Sequence, residues 1–145
     1  MIKHRIYLDN CCFNRPYDDQ AYLTVHLETE AKLFVQKEIL QGSFELAWSY
    51  MLDYENSMNP YVERKKAIDN WRKVAVCDVD FSTDINLLGN KILSQGLKNN
   101  DALHIACAIT AKCAYFLTTD KGVLNKQLSE IIVINPIDFV RKLGA

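Results

Sequence analysis

Four acidic residues, Asp9, Glu55, Asp101 and Asp120, fall where strands end or helices begin along this chain. Asp9 closes the apolar run Ile6-Tyr7-Leu8, and Asp120 follows Tyr115-Phe116-Leu117-Thr118-Thr119. Asp101 opens the apolar stretch Ala102 to Ile109. Glu55 shares a helix face with Met51 and Leu52, four and three residues before it, whereas Asp53 points away and is expected to be solvated. Carboxylates gathered at one sheet edge repel one another unless a hard divalent cation sits among them. Oxygen donors with room for water suit Mg2+ or Mn2+, which can activate a water and neutralise charge at phosphorus. No Ser, Cys or His triad is evident, so attack by water is expected rather than a covalent route.

Supporting polar residues surround these positions. Thr118 and Thr119 precede Asp120 and could orient a carboxylate or hold a water. Asn10 and Asn14 follow Asp9 as polar contacts. His104, three residues after Asp101, reads first as a satisfied, half-buried histidine that could touch the site. Arg15 and Lys98 would flank the carboxyl ends of the strands and meet a phosphate backbone there.

The elements that must position these groups alternate. Strands are expected at Ile6–Leu8, Phe44–Trp48, Val74–Val79, Ala114–Leu117 and Ile131–Ile134. Helices are expected at about Tyr22–Leu40, from Ser49 to the Asn59-Pro60 break, Val62–Arg72, Ser82 or Thr83 to Gly96, Asp101–Ala111, and after Pro136. The segment Asn14–Gln20 reads as a polar loop. In the Tyr22–Leu40 helix, Leu27, Ala31, Phe34, Val35 and Ile39 form the expected core face. This alternation implies an α/β/α domain with a mainly parallel sheet and a ligand crevice at the strand carboxyl ends.

One domain over 1–145 fits the length, and 49% hydrophobic with 24% charged residues is globular. A net charge of -1 neither requires nor excludes a nucleic-acid partner. No run approaches the length of a membrane span, and the N-terminus reads as a first strand rather than a signal peptide. Five cysteines without a C-x-x-C pair point to reduced thiols and a cytoplasmic location.

On Ile6-Tyr7-Leu8-Asp9-Asn10, Trp48 to Glu55, Asn100 to Ala106 and Phe116 to Lys121, the chain resembles the PIN-domain family, near the VapC-like ribonuclease toxins of toxin–antitoxin pairs. The resemblance implies strand order 3-2-1-4-5 and Mg2+- or Mn2+-dependent cleavage of single-stranded RNA. It also implies a homodimer, a small antitoxin protein, and Asp9, Glu55, Asp101 and Asp120 as the catalytic and metal-binding acids. Many family members carry Thr or Ser after the first Asp, where this chain has Asn10. Two alternatives stand beside the toxin reading: a housekeeping nuclease of the same type, and a catalytically silent nucleic-acid-binding module. A haloacid dehalogenase-type phosphatase built on Asp78-Val79-Asp80 leaves too little chain after Asp80, and position 11 is Cys, which breaks that pattern at Asp9. A response-regulator receiver needs an acidic pair after the first strand, where Asp9 is followed by Asn10.

Overall fold

The computed structural model describes residues 3–144; positions 1, 2 and 145 of the expected domain lie outside the described residues. Five strands, β1 (Arg5–Leu8), β2 (Glu45–Ser49), β3 (Cys77–Val79), β4 (Tyr115–Leu117) and β5 (Ile132–Ile134), form one sheet in the order β3-β2-β1-β4-β5. Every neighbouring pair is parallel. The central strand β1 is apolar on both faces because helices cover both. Ile6, Tyr7, Leu8, Leu46, Ala47, Trp48, Phe116 and Leu117 are fully buried. Tyr7 is in register with Ala47 on one side and Phe116 on the other, and its ring stacks on Phe116.

Among the described residues, eight helices connect and cover the strands: α1 (Asn10–Asn14), α2 (Leu23–Leu40), α3 (Tyr50–Ser57), α4 (Val62–Asp69), α5 (Thr83–Leu93), α6 (Asn99–Thr110), α7 (Lys121–Leu124) and α8 (Pro136–Lys142). Short 3-10 turns follow α1 (Arg15–Tyr17) and α4 (Asn70–Val74). Helix α2 packs on α8, and α6 packs on α5 and α3. Helix α6 buries Ala102, His104, Ile105, Ala106, Cys107 and Ala108, the expected result of a helix apolar nearly all round. Small side chains let it approach α5 closely: a Cβ on Gly89 would lie 2.9 Å from Leu103 Cδ2. Ser49, Ser82 and Asn135 cap α3, α5 and α8 with side-chain oxygens.

Three local expectations change. The expected Asn14–Gln20 loop is partly helical: Asn14 ends α1, which Asp9 caps, and Pro16 fits the 3-10 turn Arg15–Tyr17, so that only Asp18 to Gln20 are irregular. The Val62–Arg72 helix ends at Asp69 and tightens into a 3-10 turn. Helix α2 is rotated from its expected face. Ala31, Val35 and Ile39 are buried, but so are Glu28, Thr29, Lys32 and Gln36, while Leu27 is 45% exposed. An ion pair holds Glu28 inside. Arg15 Nε and Nη2 donate to Glu28 Oε1 at 2.9 and 2.6 Å, and Asn135 Nδ2 donates to the other carboxylate oxygen. Leu23, Leu27, Leu33 and Leu40 are exposed on the same helix.

Candidate active site

Asp9 is the most firmly held of the acids. Its backbone N–H continues the ladder to Leu117 O at 2.9 Å, which places the side chain at the carboxyl end of the sheet between β1 and β4. Oδ1 accepts from Asn10 N at 2.8 Å and Oδ2 from Thr118 Oγ1 at 2.8 Å, and the Cys11 thiol donates to Oδ2 at 3.5 Å. Asp9 is only 5% exposed and Thr118 fully buried. Thr118 also serves Asp120, whose backbone N–H donates to Thr118 Oγ1 at 3.1 Å. Asp120 itself caps α7 by accepting from Gly122 N at 2.8 Å. One buried hydroxyl therefore ties two of the four acids together.

Glu55 extends from α3 toward α6 and accepts from His104 Nε2–H. His104 is 1% exposed, not half-buried, and both its nitrogens are engaged. Nδ1 lies 2.6 Å from the Tyr7 hydroxyl, which lies 2.6 Å from Ser49 Oγ. Ser49 Oγ in turn accepts from Leu52 N, so the line ends in the cap of the helix that carries Glu55. Burial works against a charged imidazole, but the Glu55 hydrogen bond and the charges of Asp9, Glu55 and Asp101 outweigh it and raise the pKa.

Donor atoms of Asp9, Glu55 and His104 lie within 4.8 Å of one another. Asp101 and Asp120 stand outside that grouping. They do line a cleft of about 420 Å³ together with Glu55, Lys98, Asn99 and Asn100. The Asp101 carboxyl is pushed up to about 6, first by burial, then by the charges of Asp9 and Asp120. Among the described residues no Lys or Arg pairs with Asp9, Glu55, Asp101 or Asp120. A crowd of carboxylates with one histidine and no lysine or arginine paired to it is a donor set that fits a divalent cation. With Nδ1 against Tyr7 and Nε2 donating to Glu55, His104 is better placed to orient Glu55 than to ligate.

The remaining sequence candidates divide. Lys98, at the N-cap position of α6, is exposed on the rim of the acidic cleft. Asn10 gives its backbone N–H to Asp9, while its Oδ1 is buried without a partner. Asn14 donates to Asn10 O at 3.0 Å and accepts from Asn59 Nδ2 at 3.4 Å. Thr119 is half-buried and gives its backbone N–H to Cys11 Sγ. Arg15 departs from expectation: its guanidinium is committed to Glu28 and Asp18, which takes it from the phosphate-binding role. Asp53 is not simply solvated but accepts from Trp48 Nε1 at 2.9 Å, away from Glu55. The grip of His104 on Glu55 was hidden in the sequence, although its i+3 spacing from Asp101 was a signal of proximity.

Comparison with solved structures bears on this arrangement. A chain of VapBC2 from Rickettsia felis, solved bound to a DNA fragment from their promoter, is similar over 90% of this chain and 98% of that one, with a TM-score of 0.57 and 16% sequence identity. The chain has the fold of a VapC-like PIN domain. No family profile matches the sequence, and no curated protein matches it. The PIN fold accounts for the strand order and for a crevice on the carboxyl side of β1 and β4, where the acids stand.

Proposed function

We propose that this PIN-fold protein is a metal-dependent endoribonuclease acting on single-stranded RNA, the toxin of a toxin–antitoxin pair in the cytoplasm. The observation that carries the reading is a set of acids with no lysine or arginine partner: Asp9 and Glu55 meet beside His104, and Glu55, Asp101 and Asp120 line one cleft. Asp9 and Glu55 are the acids best prepared to hold Mg2+ or Mn2+, because protein donors already fix their carboxylates. Asp101 and Asp120 complete the charge around them. When bound, such an ion supplies an activated water and charge neutralisation at phosphorus.

The chain's own side chains support hydrolysis rather than covalent catalysis. Ser49, Thr118, Cys12 and Cys107 are buried, and the Cys11 thiol is turned onto Asp9 and Thr118. Lys98 is free to meet a backbone phosphate at the rim without reading a base. A flexible single strand can present a phosphate to so crowded a cleft. The outward leucines of α2 and the charged α4 supply surfaces for a homodimer and a small antitoxin. A basic side chain of that inhibitor would be welcome among the acids.

The test is RNA cleavage by purified protein in Mg2+ or Mn2+ and in chelator. Wild type should cut single-stranded RNA only with the metal, and Asp9→Asn should abolish cutting while keeping the fold by circular dichroism. Asp53→Asn should stay active, since its amide oxygen can still accept from Trp48. Expression alone should arrest growth, with relief from a co-expressed antitoxin and none of the arrest with Asp9→Asn. A soluble, folded wild type that cuts no RNA under either metal would overturn the ribonuclease reading.

A further inference from the structure

Beside the acidic cleft, on the far side of Glu55, runs a second groove of about 290 Å³ whose lining includes Asn10, Asn14, Glu55, Asn59, Tyr61 and Arg64. Glu55 lines both. Its outer wall is an aromatic–cation stack. The Arg64 guanidinium lies 4.0 Å from the Tyr61 ring centre and 4.9 Å from that of Tyr17. Both rings remain in water, Tyr61 at 55% exposure and Tyr17 at 40%. Arg64 has no carboxylate partner among the described residues.

The stack braces α4 against the 3-10 turn while leaving its rings open to a ligand. Aromatic area and a delocalised cation face outward, next to amides that can both donate and accept. The Asn59–Asn14 hydrogen bond at 3.4 Å is long enough to be exchanged for contacts to a ligand. Flat π surface, planar cation and amide edges together match an unpaired nucleobase and its phosphate.

We propose that Tyr61 and Arg64, backed by Tyr17, form a stacking subsite for one unpaired base of the RNA strand adjoining the scissile phosphate. The inference rests on the ribonuclease reading and adds where the strand runs: from the acids, past Glu55, onto α4. Stacking tolerates any base, so the subsite selects for single strands and contributes affinity more than sequence preference.

Fluorescence anisotropy of a labelled oligouridine with the non-cleaving Asp9→Asn protein in Mg2+ tests it. Adding Tyr61→Ala should weaken binding about 5- to 150-fold, the effect of removing one base–aromatic stack. Adding Tyr61→Phe, which keeps the ring, should retain affinity, and an abasic strand should bind the Tyr61 and Tyr61→Ala proteins equally. Arg64→Gln should lower the slope of log affinity against log salt by about 0.7, the share of one phosphate contact on a single strand. Because Tyr61 and Tyr17 are exposed, thermal midpoints should stay close to the parent's. Undiminished RNA binding by a folded Tyr61→Ala protein, or the same loss with the abasic strand, overturns the subsite and leaves the ribonuclease reading standing. Absence of any RNA binding by the parent, with no cleavage by wild type, removes both.

Discussion

Replacing Asp101 by Asn should make the metal-free protein more stable. Asp101 carries a carboxyl pushed from 3.8 to about 6 by burial and by Asp9 and Asp120. The folded state therefore holds this proton more tightly than the unfolded chain does. Below about pH 4 the group is protonated in both states and costs nothing. As pH rises through 6 the stability associated with the bound proton is lost, and above that the ionised carboxylate is a constant penalty. The rise would correspond to roughly 3 kcal/mol for a fully enclosed group, and water at this half-buried site reduces it to about 1–2 kcal/mol. Losing an acid from the first turn of α6 gives back about 0.5 kcal/mol of helix-dipole interaction. The net gain at pH 7.5 in chelator is then about 1 kcal/mol, read as a higher urea midpoint at unchanged slope. At pH 4.5 the gain should nearly vanish. A divalent cation should reverse the order, because an ion at tenfold its Kd stabilises wild type by about 1.4 kcal/mol and the Asn variant by less. Equal or lower stability of Asp101→Asn in chelator at pH 7.5, or a gain just as large at pH 4.5, would refute the idea that the acids repel in one cleft.

Three further outcomes concern Tyr7 and Arg15 in the buried networks and Lys98 on the cleft rim. Tyr7→Phe removes a hydroxyl shared by Ser49 and His104, both buried, and should cost about 1–3 kcal/mol, a fall in thermal midpoint of roughly 2–10 °C; an unchanged midpoint would show that the line from Ser49 to Glu55 carries no energy. Arg15→Ala strands Glu28 and should cost about 3 kcal/mol, yet leave RNA affinity of the folded protein intact, whereas Lys98→Ala should weaken RNA binding without changing stability; the opposite assignment in paired melting and binding experiments would return Arg15 to the phosphate path.

What could be read from residues alone was whatever depends on near neighbours. Asp9 ends an apolar run, Ser49 and Ser82 precede helices, and the strand order follows once the alternation is taken as a PIN-like pattern. What stayed hidden depends on partners far along the chain. The inward turn of Glu28 needs Arg15 and Asn135, and the latter lies 107 positions away. The satisfied state of His104 needs Tyr7 and Glu55, from two other elements. The end of α6 lacks a glycine signal because Lys112 itself adopts φ 60° and closes the helix. A carboxylate's role was legible from its position on a strand; an arginine's was not, because a long cation reaches whichever acid the fold brings near.

The link from Thr118 to Asp9 spans 109 positions, and it bears on synthesis. During translation Asp9 emerges early, but the hydroxyl that orients it belongs to the end of β4, and Asp120 arrives later still. At about 5–20 residues per second, the wait between the two is roughly 5–20 s. Until β4 docks beside β1, a nascent chain has strands and helices but no assembled centre. On the proposed ribonuclease reading, the protein becomes competent only when nearly the whole domain has been made, and prematurely terminated products are inert.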